Sequence, residues 1–224
     1  MVLQSRLAAA SAALLARARR VSHASDVALP LPALSFRRRS GPRKPDAEER
    51  TDLPAPAVGV TPPSGRAVAV FAGGCFWSVE LAYQREPGVT RTAVGYCQGQ
   101  TPNPTYEQVC SGRTGHTEAV LVEYDPSAVS FERLCDVLWS KIDATQANGQ
   151  GGDIGTQYRT GIYYTTEADR AVAIASRAKE QARLGRTVAT EIFPAMQWYD
   201  AEKYHQSYLA KVRAWTRIAR AMHA

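Results

Sequence analysis

The stretch Ala67-Val-Ala-Val-Phe-Ala-Gly-Gly-Cys-Phe-Trp77 places a continuous apolar run directly before two glycines, a cysteine and two aromatic residues. The apolar run predicts a buried strand over Ala67–Ala72, which the Gly73-Gly74 pair ends. The residues from Cys75 to about Arg85 have the spacing of a helix. Because glycine allows a sharp turn, we expect Cys75 to lie in the first turn of that helix.

Outward from this stretch, strand and helix patterns alternate along the chain. Further strands are predicted at Val89–Tyr96, Ala119–Tyr124, Gln157–Tyr164 and Val188–Phe193. Further helices are predicted at 105–111, from Ser130 to Lys141, from Thr166 to Leu184 and from Asp200 to about Met222, with loops at 98–104 and 144–156. This alternation predicts an α/β or α+β layered domain, and periodicity alone leaves open whether the sheet is parallel or mixed.

The net charge of +6 is the sum of two unlike segments. Residues 1–45 hold nine basic side chains and one acidic one, so this segment carries +8. The rest of the chain holds 18 basic and 20 acidic residues, so it carries −2. A nucleic-acid-binding domain concentrates positive charge on its folded part. The charge distribution therefore argues against nucleic acid as a partner.

Composition also limits the other classes. No apolar run approaches the roughly 18–20 residues of a membrane-spanning helix, so we expect no membrane association. The four cysteines in 224 residues are too few for a disulfide scaffold, and none forms a CxxC pair. We therefore expect no structural zinc, and no metal at the site.

The N-terminal segment differs in texture from the remainder. Residues 1–22 are rich in Ala, Leu and Arg and contain no acidic residue, which is typical of an organellar transit peptide. Residues 23–64 are rich in proline and show no apolar periodicity. We expect residues 1–64 to be a transit peptide and disordered linker for the chloroplast or mitochondrion, and 65–224 to be the catalytic domain. A natural disordered tail or a misassigned start codon is the alternative, and the protein would then be cytoplasmic.

Cys75 is the residue with the clearest chemical potential. A thiol at a helix N-terminus faces unpaired N–H groups, which favour the thiolate and lower the pKa. A small buried cysteine at a strand–helix joint is the equally weighted alternative. Glu118 lies where an apolar strand begins, either as a solvated end or as a carboxyl of raised pKa that donates a proton. Tyr106, Asp153 and Tyr158 lie in loops that flank predicted elements.

Several ordered motifs carry a resemblance to a known family. They are Gly-Gly-Cys75-Phe-Trp, Thr-Pro-Asn-Pro-Thr-Tyr106, Val-Cys-Ser-Gly-Arg-Thr-Gly-His-Thr-Glu118, Asp153-Ile-Gly-Thr-Gln-Tyr-Arg and Tyr204-His-Gln. From about Arg66 to about Lys211 the chain resembles the type A peptide methionine sulfoxide reductases, with a texture similar to the plant and algal branch. The resemblance implies an α+β fold with a mixed sheet and a ferredoxin-like βαβ core in a single domain.

The resemblance also implies roles for individual residues. Cys75 would attack the sulfur of methionine S-sulfoxide, free or protein-bound. Cys75 would become a sulfenic acid, and methionine would be released. Glu118 would protonate the sulfoxide oxygen, and Asp153 would position the site. Two further pairs complete the implied set: Tyr106 and Tyr158, which would donate hydrogen bonds to the oxygen, and Phe76 and Trp77, which would hold the S-methyl group.

The chain departs from the family in its recycling cysteines, because no cysteine follows Cys135. Either an external thiol (thioredoxin, or glutathione with glutaredoxin) reduces the sulfenic acid directly, or Cys97 replaces the missing residue. The family often carries a cysteine at the position of Cys110 without a recycling role. No bound cofactor is expected, and we expect a monomer. A non-enzymatic thiol redox sensor is the alternative, which would leave Phe76 and Trp77 unexplained.

Overall fold

The computed structural model describes residues 57–214 of the chain. In chain order the elements are β1 (Ala67–Gly73), α1 (Phe76–Tyr83), β2 (Val89–Cys97), α2 (Tyr106–Cys110), β3 (Thr117–Tyr124), α3 (Phe131–Trp139), β4 (Gly149–Gln150), β5 (Asp153–Ile154), β6 (Thr160–Tyr164), α4 (Glu167–Leu184), β7 (Glu191–Pro194) and β8 (Tyr199–Asp200). Thr156–Tyr158 form a short 3-10 helix, and residues 208–214 are helical.

A six-stranded mixed sheet in the order β7-β6-β1-β3-β2-β8 organises the domain. All neighbouring strands are antiparallel except β6 and β7, which are parallel. Helix α1 connects β1 to β2, and β3 lies between these two parallel strands. Helix α3 follows β3 and leads back toward β6 on the other side of β1. The order β6-β1-β3-β2 is the ferredoxin-like arrangement, so the α+β expectation with a mixed sheet is confirmed.

Strand β1 is buried on both faces, and its alternate side chains divide between two apolar clusters. Ala69 and Phe71 face the helices and pack with side chains of α1 and α3. Val68, Val70 and Ala72 face the other side, where Ala195 and Trp198 cover them. Burial on both faces explains the continuous apolar run, since a strand with one wet face would alternate with polar residues.

Most element positions agree with the sequence patterns, and the differences lie at their ends. Thr166 caps α4 by accepting the Asp169 N–H, and Gly185 ends it in the left-handed conformation, as the capping signals predict. Residues 157–158 belong to the 3-10 helix rather than to a strand, and β7 begins at Glu191 rather than at 188. The loop predicted at 144–156 contains the short β4–β5 hairpin.

The helix predicted from Asp200 onward is wrong over its first turns. Tyr199–Asp200 pair with β2 as an edge strand, and residues 203–207 form turns. The reason is tertiary hydrogen bonding: the Gln206 side chain accepts the Val94 N–H at 2.9 Å and donates to the Val94 carbonyl at 2.8 Å. Ser207 adopts a φ of 53°, which interrupts a helix. Residues 215–222 of this prediction lie outside the described residues.

The described chain upstream of β1 contacts the sheet. The Ala57 N–H donates to the Ala195 carbonyl at 2.7 Å, and the Trp198 N–H donates to the Val58 carbonyl at 3.1 Å. Val58 and Val60 pack against the second apolar cluster. Residues 57–60, which composition places in the linker, therefore contribute to the second face of the sheet. Residues 1–56 of the predicted transit peptide and linker lie outside the described residues.

Candidate active site

Cys75 is the N-cap of α1, directly after the glycine pair that follows β1. Gly74 has a φ of 77°, and a Cβ atom there would lie 2.6 Å from the Gln150 side chain. Glycine is therefore required on both conformational and steric grounds. The backbone N–H groups of Trp77 and Ser78 point at the Cys75 thiol. The fold thus gives Cys75 the helix-terminal position that the sequence predicts.

The pKa of Cys75 nevertheless differs from the sequence expectation. Burial raises the pKa of this thiol from 9.0 to about 11; the Trp77 N–H lowers it, and the negative charges of Glu118 and Asp153 raise it further. The expected lowering is wrong for the site without substrate, because burial and two nearby carboxylates outweigh the helix N–H groups. Local sequence could not reveal this, since the carboxylates come from β3 and β5.

Glu118 lies on β3, next to Cys75 in space, and is almost fully buried. Its Oε2 accepts a hydrogen bond from the Phe76 N–H at 3.0 Å. Burial raises the pKa of Glu118 to about 7, the Phe76 N–H lowers it, and the charge of Asp153 raises it. The carboxyl therefore exchanges its proton near neutral pH, as a general acid must. Of the two alternatives in the sequence, the solvated strand end is excluded.

Two tyrosines from separate elements lie near Glu118. Tyr106 begins α2, which Thr105 caps through a reciprocal capping box with Gln108. Tyr158 ends the 3-10 helix before β6. Burial is the main cause that raises the pKa of Tyr158 to about 12. Smaller increases come from the charges of Glu118, Cys110, Asp153 and Cys75. Burial likewise raises the pKa of Tyr106, and Glu118 and Tyr158 contribute to the increase. Both phenols therefore keep their protons and remain donors.

Phe76 and Trp77 belong to an aromatic cluster, but they are not equally accessible. Phe76 is 1% exposed, and its ring lies 5.2 Å from that of His205. Trp77 is partly exposed and stacks on Tyr208, with ring centroids 4.1 Å apart. Trp77 therefore provides apolar surface that a ligand can reach, and Phe76 is a buried member of the same cluster.

Three residues of the C-terminal segment belong to this cluster and were not selected from the sequence as site residues. His205 packs on Tyr106 with ring centroids 4.6 Å apart, Tyr208 stacks on Trp77, and Glu202 accepts the Tyr106 N–H at 2.9 Å. The Tyr204-His-Gln motif was the available signal. The helix predicted from Asp200 did not suggest that these side chains meet at the site, because a regular helix would distribute them over its faces.

The four cysteines are free, and they differ in accessibility. Cys97 is 1% exposed and points into the second apolar cluster, on the sheet face away from α1. Cys135 is fully buried in α3. Cys110 is partly exposed at the end of α2, where the Tyr106 phenol hydrogen-bonds to its thiol. Among these three, Cys110 shares the neighbours of the Cys75 site.

Within residues 57–214, no group of three or more His, Cys, Asp and Glu side chains could hold a metal ion. Over the same residues, every helix is too short or too polar to cross a bilayer.

The fold and the site define a cysteine-centred α+β domain, and comparison with known proteins gives its family. The family model described as peptide methionine sulfoxide reductase matches residues 67–223, and the chain belongs to this family. It is 56% identical over 150 residues to peptide methionine sulfoxide reductase A4, chloroplastic, of Arabidopsis thaliana, which covers 67% of this chain and 58% of that protein. The chain thus spans less than two thirds of the length of that relative.

Solved structures agree with the fold. Mxr1 of Saccharomyces cerevisiae in its reduced form superposes with a TM-score of 0.64 at 33% identity, covering 68% of this chain and 88% of that one. Methionine sulfoxide reductase A of Corynebacterium diphtheriae gives a TM-score of 0.60 at 37% identity, covering 71% and 83%. The family resemblance drawn from the motifs is therefore confirmed.

Proposed function

We propose that the protein reduces methionine S-sulfoxide, free and in oxidised proteins, to methionine, and so repairs oxidative damage. The observation that carries this proposal is the buried Glu118 carboxyl, which accepts the Phe76 N–H at 3.0 Å beside Cys75 and has its pKa raised to about 7. A nucleophilic thiol next to a carboxyl that holds a proton near neutral pH suits attack on sulfur with protonation of oxygen.

The reaction moves the oxygen from the substrate sulfur to the sulfur of Cys75. Cys75 sulfur attacks the sulfoxide sulfur and forms an S–S bond, and Glu118 gives its proton to the sulfoxide oxygen. The S–S bond and the S–O bond of the substrate then break as a new S–O bond forms at Cys75, which leaves methionine and the Cys75 sulfenic acid, while Glu118 regains the thiol proton. Two electrons pass from the cysteine sulfur to the methionine sulfur, and no other oxidant or reductant takes part in this step.

Recognition would separate the two ends of the sulfoxide group. The exposed face of Trp77, supported by Phe76, would take the S-methyl group. The phenols of Tyr106 and Tyr158 would donate to the oxygen, and Asp153 would help to orient the site. Reduced methionine lacks this oxygen and would make neither of these hydrogen bonds, which disfavours its binding.

Turnover by variants tests the activity. With dithiothreitol as reductant, Cys75→Ser should abolish reduction of the S epimer, and the matched variant Cys135→Ala should retain it because Cys135 lies in the core of α3. Equal turnover by Cys75→Ser, or a strong preference for the R epimer, would refute the proposal.

Recycling by an external thiol is the second part of the proposal. Thioredoxin, or glutathione with glutaredoxin, would reduce the Cys75 sulfenic acid directly, with no cofactor bound to the protein. Cys97 is the internal alternative, although its burial on the opposite sheet face requires the strand to open. Cys110 is a further alternative, since it lies beside Tyr106.

A single turnover distinguishes these routes. One equivalent of substrate without reductant should leave Cys75 as a sulfenic acid that dimedone traps and mass spectrometry detects. A disulfide joining Cys75 to Cys97 or to Cys110 would contradict direct recycling and would identify the internal partner.

The high pKa of Cys75 weighs against the redox-sensor hypothesis. Peroxide reacts with the thiolate rather than with the thiol, and burial, with the nearby carboxylates, disfavours the thiolate of Cys75. Fast peroxide oxidation without sulfoxide turnover would favour the sensor instead.

The relatives and the N-terminal composition support a proposal on the location of the protein. We propose that residues 1–64 carry a plastid transit peptide and linker, of which residues 57–60 also pack on the sheet, and that 65–224 form a monomeric catalytic domain. The Arabidopsis relative is named chloroplastic, which favours the plastid over the mitochondrion. Fluorescence of a fusion of residues 1–64 to a reporter, and sedimentation of the purified domain, test the two statements.

A further inference from the structure

The carboxylate of Glu202 joins two elements that border the site. Its Oε1 accepts a hydrogen bond from the Tyr106 N–H at 2.9 Å. Its Oε2 accepts a hydrogen bond from the Tyr96 hydroxyl at 2.8 Å. Glu202 itself belongs to neither element, because it follows β8 in the C-terminal segment. One side chain therefore ties the start of α2 to strand β2.

The attachment at Tyr106 has a local reason to matter. Helix α2 spans only five residues, and a helix this short has little stability of its own. Its capping box with Thr105 fixes the backbone at the helix start but does not fix the helix against the sheet. The bond from the Tyr106 N–H to Glu202 adds a tertiary attachment at the start of the helix, besides the burial of Val109 in the core.

The attachment at Tyr96 connects the same carboxylate to the other side of the site. Tyr96 is fully buried and is the cross-strand neighbour of Glu118 in the β2–β3 pair. His205 packs against the Tyr106 ring, and its Nε2 lies 3.9 Å from Glu202 Oε2. The position of Tyr106 relative to Glu118 is thus set through Glu202 and Tyr96.

Glu202 makes both contacts as an ionised acceptor. Burial raises the pKa of Glu202, but hydrogen bonds from the Tyr106 N–H and the Tyr96 hydroxyl, with others, leave it below the usual value. The group is therefore a carboxylate at neutral pH, and both oxygens accept. A glutamine could accept at one oxygen only, because its amide nitrogen is a donor, so it would keep both contacts only if the Tyr96 hydroxyl turned to accept from that nitrogen.

We infer that Glu202 is a positioning residue that holds the Tyr106 phenol in place for the sulfoxide oxygen by binding the Tyr106 N–H and the Tyr96 hydroxyl together. This inference rests on the proposed role of Tyr106. It adds a residue that acts through Tyr106 and does not itself touch the substrate.

A double-mutant cycle on kcat tests it. Glu202→Gln and Glu202→Ala should each lower kcat about tenfold or more, in line with the loss of a hydrogen bond to a charged group, with Ala the more severe. KM should rise by a smaller factor. In a Tyr106→Phe background the same changes should lower kcat by less than about twofold, because the phenol that Glu202 positions is already absent.

Tyr96→Phe gives an independent arm, since it deletes only the hydroxyl that donates to Oε2. It should lower kcat by a smaller factor than Glu202→Gln, and the two together should not exceed Glu202→Gln alone. The aromatic ring of Tyr96→Phe remains in the core, so this variant should fold. It therefore tests the inference even if Glu202→Ala does not fold.

Glu80→Gln is the matched control. Like Glu202, Glu80 accepts one backbone N–H, from Ser207 at 2.9 Å, and one hydroxyl, from Thr92 at 3.2 Å, although Glu80 is buried and Glu202 is partly exposed. Its effect on kcat, of whatever size, should be the same in both backgrounds. If Glu202→Gln likewise loses the same factor with and without Tyr106, Glu202 acts independently of Tyr106 and the inference is overturned. If Tyr106→Phe alone has normal kcat, the proposed role of Tyr106 fails, and the inference fails with it.

Discussion

The Glu118 carboxylate accepts the Phe76 N–H at 3.0 Å, one residue beyond Cys75. Of the N–H groups at the start of α1, that of Phe76 therefore binds the proposed proton donor, while those of Trp77 and Ser78 point at the nucleophile. A negative charge on one of these two groups disfavours a negative charge on the other. Negative Glu118 raises the pKa of Cys75, so the thiolate is disfavoured until the carboxyl is protonated.

Removing the proton of Glu118 should remove most of the activity. Glu118→Gln keeps an oxygen that can accept the Phe76 N–H, but it has no acidic proton for the sulfoxide oxygen. We expect kcat to fall by about 10²–10⁴-fold, the usual contribution of general acid catalysis. Steady-state turnover of the S epimer measures this. Glu123→Gln, on the same strand, is the control and should keep activity within about threefold; equal losses in both variants would show that only β3 is disturbed.

The same substitution should stabilise the fold at alkaline pH. Burial raises the pKa of Glu118 from 4.5 to about 7, so the folded state binds more protons than the unfolded state between these values. Stability is therefore lost as the pH rises through this window, by about 3 kcal/mol in total. Glutamine does not titrate and avoids this loss.

Thermal unfolding from pH 4 to pH 9 checks this expectation. The Tm of Glu118→Gln minus that of the unmodified protein should increase with pH and level off above about pH 8. A difference that stays constant across the range would show that Glu118 titrates normally in the folded protein.

Alkylation should reveal the high pKa of Cys75. Because burial and two carboxylates raise the pKa to about 11, iodoacetamide should modify Cys75 about tenfold faster for each pH unit between 7 and 10. In Glu118→Gln the pKa should be lower, since a negative charge is absent. The measurement follows the Cys75 peptide by mass spectrometry in a Cys110→Ser background, and a rate that reaches its plateau by pH 8 would contradict the burial argument.

The sequence predicted well those parts of the site that depend on neighbouring residues. The glycine pair, the helix-terminal Cys75 and the aromatic pair after it follow from local turn and capping rules. The pKa of Cys75 did not follow, because it depends on Glu118 and Asp153, which only the sheet and the β4–β5 hairpin bring near. Distant charge is not visible in a local pattern.

The same distinction explains the C-terminal segment. Residues 200–207 have a helical composition, yet Gln206 hydrogen-bonds to β2 and Ser207 to Glu80, and these tertiary contacts replace the helical ones. Glu202 was missed as a site residue for this reason. Its partners, Tyr96 and Tyr106, lie about a hundred residues earlier in the chain.

Arg159 should prove as important for the position of Tyr158 as for stability. Its guanidinium donates to Glu191 Oε1 at 2.8 Å, to the Thr156 carbonyl at 2.9 Å and to the Gly115 carbonyl at 3.2 Å, and so clamps the segment that carries Tyr158. Lysine keeps the charge but has a single nitrogen, which cannot reach all three acceptors from one place.

Arg159→Lys should therefore lower the free energy of unfolding by about 1–3 kcal/mol, because carbonyl groups lose a charged donor. It should also lower kcat, because Tyr158 is no longer held. Arg133→Lys is the control: its ion pair with Glu86 has an arginine side chain that is 55% exposed, and solvent screening leaves such a pair little net contribution to stability. Urea unfolding of both variants measures the change in stability, and S-epimer turnover measures the change in kcat. If Arg159→Lys unfolds earlier but keeps full kcat, the clamp serves stability alone and Tyr158 does not depend on it.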